Sequence, residues 1–171
     1  EVAMQWTDAY SEIIHCFTNI IHNTDGGTHL SGLKGSLTRT INSYAQSRKL
    51  LKNVGSLSGD DVREGLSAVI SIKHPDPSFN AQTKSKLVTS EVTGIVEQIV
   101  NEKLGEYFEE NPSMARIIVD KSVLASKARD AARKARDLTR RKGVLEGGGL
   151  PGQLADCQSK DPAECEIYIV E

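Results

Sequence analysis

The chain has 171 residues, of which 38% are apolar, so it can bury a core of ordinary size and disorder over its whole length is excluded. Its formal charge of −2 conceals an asymmetry, because the stretch from Lys121 to Lys142 holds nine Lys or Arg and only two acids. This stretch predicts a strongly basic surface on an otherwise acidic protein.

The cysteines and the hydropathy pattern indicate the compartment. Cys16, Cys157 and Cys165 are odd in number and form no CxxC pair, which argues against a disulfide framework and favours a reducing cytoplasm. No stretch approaches about eighteen consecutive apolar residues, so we expect a soluble protein without a membrane span. Strand-like patterns begin at the first residue and are unfinished at the last, so we expect a segment of a longer protein.

The chain opens with a β pattern. Val2, Met4 and Trp6 alternate with small or polar residues, and a second run follows over residues 12–18. A period of two is typical of half-buried strands, and the short polar segment between the runs predicts an antiparallel hairpin.

A helix is predicted next, after the turn signal Asp25-Gly26-Gly27. Its apolar residues recur at steps of three and four up to about Lys49, and Thr28 is the expected N-cap. Ser58 is expected to cap a short second helix with two aspartates in its first turn. A strand follows from about Leu66 to Lys73 and stops at a Pro-Asp-Pro segment.

Two more helices are predicted beyond a loop over residues 75–89. The first covers residues 90–110 and ends before Pro112, because the residue before a proline disfavours the helical conformation. The second runs over about residues 113–142, and its length suits a strut between domains. Its narrow apolar face is expected to contain Ile117, Leu124, Ala128, Ala132, Ala135 and Leu138. This order of elements indicates an α+β fold, with helices packed on one face of a mixed sheet.

Six short segments form a pattern when they are taken together. They are Glu1–Trp6, Asp25–Leu30, Asp61–Leu66, Gln82–Lys84, Ala131–Arg136 with Leu138–Lys142, and Leu150–Cys157. In order and spacing the chain resembles the B subunits of bacterial type IIA DNA topoisomerases, those of the DNA gyrase family in particular. Each segment alone is a weak signal, whereas six in one chain make coincidence a poor explanation.

The resemblance implies a fold and a domain order. It implies a transducer domain over residues 1–142, long basic helix included, with a left-handed β-α-β unit like that of domain 2 of ribosomal protein S-five. Residues 143–164 would form a linker, and residues 165–171 would begin a TOPRIM domain. In the parent protein a GHKL-type ATPase domain would precede this segment.

The resemblance also implies a role for the polar loop after the predicted strand. Gln82 and Lys84 are implied to reach the γ-phosphate of ATP in the ATPase domain. A lysine ammonium and a glutamine amide suit this role because both donate hydrogen bonds to charge that shifts among phosphoryl oxygens. On composition alone, a loop with Lys84 and Lys86 would be interpreted as solvated surface.

Glu171 is implied to be the carboxylate that ends the first TOPRIM strand. There the family uses a carboxylate as a catalytic residue and Mg²⁺ ligand in DNA cleavage and religation. As the terminal residue of this segment it cannot assemble that site by itself. ATP and Mg²⁺ are therefore expected cofactors of the parent protein, and none is expected on the segment.

The parent protein would be an ATP-hydrolysing topoisomerase that introduces negative supercoils, and the isolated segment is expected to be inactive. Its implied partners are DNA, the gyrase A subunit in an A2B2 heterotetramer, and a second B subunit upon ATP binding. Five basic residues are candidates to face DNA, although a merely solvated face would have the same composition. They are Lys34, Arg133, Lys134, Arg140 and Arg141.

Two alternatives stay open at this point. The B subunit of topoisomerase IV has the same plan, and the first strand and the segment Asp61–Leu66 favour gyrase over it. A stand-alone nucleic-acid-binding or interaction domain with a basic helix would also account for the charge distribution.

Overall fold

The computed structural model describes residues 1–51, 54–146 and 163. The described residues fall into two structural units, residues 1–129 and the residues from 130 onward. The elements are β1 Val2–Trp6, β2 Ile13–Thr18, β3 Ile21–His22, α1 Thr28–Ser47, α2 Gly59–Arg63, β4 Leu66–Ile72, α3 Glu91–Glu110 and α4 Pro112–Glu146. Within these ranges, no helix combines the length and the apolar character that a membrane crossing requires.

β4 lies between β1 and β2 in a four-stranded sheet. It pairs antiparallel with β1, where Trp6 lies opposite Leu66. It pairs parallel with β2, where Cys16 lies opposite Ile70, and the order across the sheet is β1-β4-β2-β3. The predicted mixed sheet is confirmed, whereas the predicted antiparallel hairpin of the first two strands is wrong.

The physical reason for this error is that alternation fixes which face of a strand is buried, but not which strand lies beside it. A parallel neighbour cannot be reached through a tight turn, so the chain crosses over through α1 and α2 before it forms β4. β2 therefore pairs with a strand that lies about fifty residues later in the sequence.

The helices cover one face of the sheet. Leu66, Ala68 and Ile70 are buried along β4, whereas Val69, which points to the opposite face, is 41% exposed. α1 and α3 lie so close together that a Cβ atom on Gly32 would be 2.6 Å from the carbonyl oxygen of an α3 threonine. The core includes Cys16, Leu33, Leu37, Ile41, Leu57, Val62, Leu87, Val96, Leu104, Phe108 and Val119.

Of the two predicted helix N-caps, one is confirmed and one is wrong. The hydroxyl oxygen of Ser58 accepts a hydrogen bond from the Asp61 amide, and the Asp61 carboxylate accepts one from the Ser58 amide, which confirms the Ser58 cap as a capping box. The Thr28 cap is wrong, because Thr28 is already helical and Gly27 occupies the N-cap position without a side-chain hydrogen bond.

The buried face of α4 differs from the predicted one. Ile117 and Leu124 are 61% and 68% exposed, whereas Ala115, Ile118 and Val119 belong to the core. The buried positions, large and small alike, lie on a different side of the helix from the predicted stripe, because helical spacing of apolar residues does not by itself decide which side packs. From residue 127 to residue 139 every side chain is exposed.

Candidate functional site

Gln82 and Lys84 lie on one tight turn in the loop between β4 and α3. The turn spans Ala81 to Lys84 and is closed by a hydrogen bond from the Lys84 amide to the Ala81 carbonyl, 3.0 Å long. Both side chains are exposed. Lys84 has a backbone φ of 56°, in the left-handed region that residues with a Cβ atom seldom adopt.

The base of this turn is anchored in the core. Phe79 and Leu87 form an antiparallel bridge, and the Asn80 amide donates to the Lys86 carbonyl at 3.1 Å. Leu87 is fully buried and Phe79 packs against the core cluster. The loop is therefore a short hairpin with an apolar root and a polar tip, which can present Gln82 and Lys84 to another body.

A second segment, residues 23–28, supports the hairpin from the side. The Asp25 amide donates to the Ser85 carbonyl at 2.9 Å, and the Leu87 amide donates to the Gly26 carbonyl at 3.0 Å. A Cβ atom on Gly27 would lie 2.3 Å from the Leu87 carbonyl oxygen. The glycine pair that the sequence presents as a turn signal is thus also what allows the two segments to touch.

Asn23 joins these two segments through its side chain, and sequence reasoning missed it. Its amide nitrogen donates to the Lys84 carbonyl oxygen at 2.7 Å, across 61 positions in the sequence. Asn23 is 2% exposed. No local pattern indicates such a contact, and the only sequence signal is a polar residue at the end of a strand, which is common on surfaces.

The electrostatics of the turn suit the binding of an anion. The ammonium nitrogen of Lys84 lies 5.9 Å from the centroid of the Phe79 ring. Across the part of the chain that the structure describes, no carboxylate forms an ion pair with Lys84. The turn offers hydrogen-bond donors but no histidine, cysteine or carboxylate, so its chemistry suits orienting an anionic ligand and stabilising its charge.

Lys34 has a partner. Its ammonium contacts the Glu12 carboxylate at 2.5 Å, and the Arg63 guanidinium contacts the other oxygen of Glu12 at 2.6 Å. Burial raises the pKa of Glu12, but the hydrogen bonds from Lys34 and Arg63 outweigh it and hold the pKa below its usual range. The charge of Lys34 is therefore largely compensated within the domain.

The other candidate DNA-facing residues lie on α4. Arg133 and Lys134 are exposed. Arg140 and Arg141 belong to the same helix, but their side chains lie outside the described residues, as does all of Glu171. Sequence reasoning also missed Arg129, whose guanidinium contacts the Asp61 carboxylate at 3.1 Å and the Ser58 hydroxyl oxygen at 2.6 Å.

Two further titratable groups are buried away from the turn. Burial lowers the pKa of His29 to about 4, and both ring nitrogens lack a hydrogen-bond partner among the described residues. Burial raises the pKa of the Cys16 thiol to about 11, so this thiol is unreactive at neutral pH. Over the described ranges no group of three or more His, Cys, Asp or Glu side chains could hold a metal ion.

Solved structures share this architecture. The ATPase domain of Thermus thermophilus gyrase B, solved with an aminocoumarin, matches 80% of this chain with a TM-score of 0.74 and 42% identity, over 37% of its own length. The ATP-binding domain of Francisella tularensis topoisomerase IV matches 75% of the chain with a TM-score of 0.69 and 31% identity, over 35% of its length. The fold of this chain is thus similar to segments of two bacterial type II DNA topoisomerases.

Sequence comparison narrows this class. A family model described as DNA gyrase B matches residues 1–138. The chain is 55% identical to the DNA gyrase B protein of Clostridium acetobutylicum and 56% identical to that of Haloferax volcanii, in each case over all of this chain and 27% of the relative. The chain belongs to the DNA gyrase B family. It spans about 27% of the length of these relatives.

Proposed function

We propose that the chain is the transducer segment of a DNA gyrase B protein and couples ATP hydrolysis in a GHKL-type domain to DNA strand passage and negative supercoiling. The observation that carries the proposal is the turn at Ala81–Lys84, which projects from a root fixed in the core. It carries the Gln82 amide and the Lys84 ammonium, which has no ion pair among the described residues. The complete protein would then be an ATP-dependent type II topoisomerase.

In this proposal Gln82 and Lys84 contact the γ-phosphate of ATP held by the other domain. The lysine ammonium follows charge as it shifts among the phosphoryl oxygens, and the glutamine amide supplies a neutral donor beside it. Hydrolysis and release of the γ-phosphate remove the ligand of both side chains. The segment therefore prefers different orientations in the ATP and ADP states, which is the differential affinity that a nucleotide-driven switch needs.

The proposal includes the finer fold and the domain limits. The crossover from β2 to β4 would be the left-handed β-α-β unit of the transducer, with the domain over residues 1–142. A linker would cover residues 143–164, although α4 continues through the first four of these residues. Residues 165–171 would begin the TOPRIM domain. Glu171 would there serve as a catalytic carboxylate and Mg²⁺ ligand in the complete protein.

The proposed partners are DNA, the gyrase A subunit and a second copy of the gyrase B protein, in the cytoplasm. The exposure of Arg133 and Lys134 on α4 supports a DNA-facing role for this helix. The ion pair of Lys34 with Glu12 weakens the case for Lys34, because a compensated charge attracts DNA less. The higher identity to the gyrase structure, 42% against 31%, supports gyrase over topoisomerase IV.

Three alanine variants of the full-length protein test the role of the turn. Lys84→Ala should weaken ATP affinity modestly, because adenine and the other phosphates are held elsewhere, whereas the rate of hydrolysis should fall by about 10²–10³. Gln82→Ala should show a milder form of the same defect, because an amide carries no full charge. Lys86→Ala, a lysine two positions along the same loop, is the matched control and should be nearly normal.

Steady-state ATPase and supercoiling assays of all three variants distinguish the outcomes. Equal activity of Lys84→Ala and the unmodified protein would remove the proposed contact. An equal loss of activity in Lys86→Ala would show that the net positive charge of the loop matters, and not the position of Lys84.

A further inference from the structure

The backbone of Lys84 is held in a conformation that it does not favour. Its φ of 56° is disfavoured for a residue with a Cβ atom, and such positions persist only where the surrounding structure imposes them. Because the side chain itself is exposed, side-chain packing does not fix the backbone here. Two hydrogen bonds hold it instead: the Lys84 amide donates to the Ala81 carbonyl within the turn, and a side chain from another segment donates to the Lys84 carbonyl.

That contact is the end of a buried polar chain that starts in the sheet. The hydroxyl of Thr18, fully buried at the end of β2, donates to the side-chain oxygen of Asn23 at 2.7 Å. The amide nitrogen of Asn23 donates to the Lys84 carbonyl at 2.7 Å, and the Asn23 backbone amide donates to the Cys16 carbonyl at 2.8 Å. Two neutral hydrogen bonds thus connect strand β2 to the residue that carries the ammonium.

We propose that Asn23, oriented by Thr18, is a positioning residue that sets the backbone of Lys84 so that its ammonium reaches the γ-phosphate. The inference rests on the proposed function of Lys84. An asparagine side chain can accept from a hydroxyl and donate to a carbonyl at the same time, and it brings no charge into a buried site. An aliphatic side chain in its place would leave the Lys84 carbonyl without this partner and free the turn to relax.

Asn23→Leu in the full-length protein tests the inference. We expect kcat for ATP hydrolysis to fall by about 10-fold to 10²-fold with KM for ATP nearly unchanged, because misplacement of a charged donor by an ångström has an effect of this size. Asn42→Leu is the matched control. Asn42 also makes side-chain hydrogen bonds, two of them with the backbone of Leu57, but it lies in the second half of α1 and does not contact the turn.

The control separates positioning from general loss of stability. Both asparagine variants should unfold at lower temperature, and the assay is run well below both melting temperatures. Only Asn23→Leu should lose kcat. Equal kcat losses in the two variants would mean that destabilisation alone is responsible and would overturn the inference.

A double variant connects the effect to Lys84. If Asn23 acts through Lys84, Asn23→Leu should cause no further loss in a protein that already carries Lys84→Ala. Multiplicative losses would overturn the inference. If Lys84→Ala is impaired while Asn23→Leu is fully active, the role of Asn23 is refuted and the proposed function of Lys84 stands. A fully active Lys84→Ala protein would refute the proposed function itself.

Thr18→Val covers the case in which Asn23→Leu does not fold. The substitution keeps the shape of the side chain and removes the hydroxyl that orients Asn23, so we expect a smaller kcat loss that again disappears in the Lys84→Ala background. A Thr18→Val protein with unchanged kcat would overturn the role of the buried chain.

Discussion

The buried polar side chains of this domain fall into two groups. In the first group, the Thr18 hydroxyl donates to the Asn23 side-chain oxygen, and the Asn23 amide nitrogen donates to the Lys84 carbonyl in the turn. His29, two residues beyond the Gly26-Gly27 pair, is fully buried with both ring nitrogens unpaired among the described residues. A satisfied pair gains modest stability, whereas an unpaired buried group costs its full desolvation.

His29 should make the stability of the domain depend on pH. In the unfolded chain it takes up a proton below about pH 6.5, whereas in the folded domain its pKa is about 4 and it remains neutral. The unfolded state therefore binds more protons between these values, and the free energy of unfolding decreases as the pH falls through this window. The slope contributed by this one group approaches roughly 1.4 kcal/mol per pH unit.

We expect His29→Leu to remove this slope. Above pH 7 the variant should be as stable as the unmodified domain or slightly more stable, because two unpaired nitrogens are replaced by an apolar side chain of similar size. Urea unfolding at pH 7.5, 6.5, 5.5 and 5.0 measures the difference between the two proteins. A difference that stays constant over this range would show that His29 is protonated in the folded state or is not buried.

At the scale of elements, the β2–β3 turn places a residue type in a backbone conformation that it disfavours. Asn19 and Ile20 form a two-residue connection with φ of 49° and 74°, as in the turns that favour Asn-Gly. The Asn19 side chain donates to the His74 carbonyl at 2.7 Å, so it is well placed. Ile20 is 88% exposed and β-branched, so its left-handed conformation is strained without compensation from burial.

Ile20→Gly should therefore stabilise the domain by roughly 0.5–1 kcal/mol, since the relief of strain exceeds the additional backbone entropy of glycine in the unfolded chain. Thermal melting and urea unfolding measure this gain. Ile20→Ala is the control, because it removes the exposed apolar surface but keeps the Cβ atom. If alanine stabilises as much as glycine, the benefit comes from the lost apolar surface and the argument from strain is wrong.

Local periodicity was sufficient to predict some elements and insufficient for others. α1 and α3 were predictable because a buried stripe recurs every three to four residues, and β4 because it alternates strictly before a proline. The pairing of β2 with β4 was not, because a parallel partner is chosen by long-range packing. The buried face of α4, which includes Ile118 and Val119, was missed because apolar residues occur at helical spacing on more than one side of this helix, and Ile117 and Leu124 lie on an exposed side.

The candidate site was also only partly predictable from the sequence. Gln82 and Lys84 could be named because a family motif marks them, and the structure places both exposed on one turn, whereas their contact with ATP stays a prediction. Asn23 and Arg129 could not be named, since each acts on a residue more than sixty positions away and neither carries a local signal. Residues that contact a ligand tend to carry motifs, whereas the residues that support them depend on the fold.

At the scale of the whole molecule, the distribution of charge matters more than its sum. Four cations that precede the basic stretch Lys121–Lys142 form ion pairs: Arg39 with Glu97, Arg48 with Glu109, Lys103 with Glu106 and Arg116 with Asp120. Arg133 and Lys134 are exposed on α4, in the stretch where nine cations accompany two acids. The basic stretch Lys121–Lys142 should therefore attract a polyanion more strongly than an equal number of these paired cations does.

If the helix contacts DNA, neutralising Arg133, Lys134, Arg140 and Arg141 with glutamine in the full-length protein should flatten the dependence of DNA affinity on salt. Each phosphate contact releases bound counterions, so the log-log slope should decrease by roughly 0.9 for each contact removed. The matched control replaces four ion-paired cations that precede the basic stretch with glutamine and changes the net charge by the same amount: Arg39, Arg48, Lys103 and Arg116.

Fluorescence anisotropy with a short duplex, titrated at several salt concentrations, measures both slopes. We expect the control to retain nearly the slope of the unmodified protein, because its cations are already compensated by neighbouring carboxylates. Equal flattening in both variants would mean that DNA responds only to net charge. An unchanged slope in the helix variant would instead leave the basic stretch as a solvated surface that does not touch DNA.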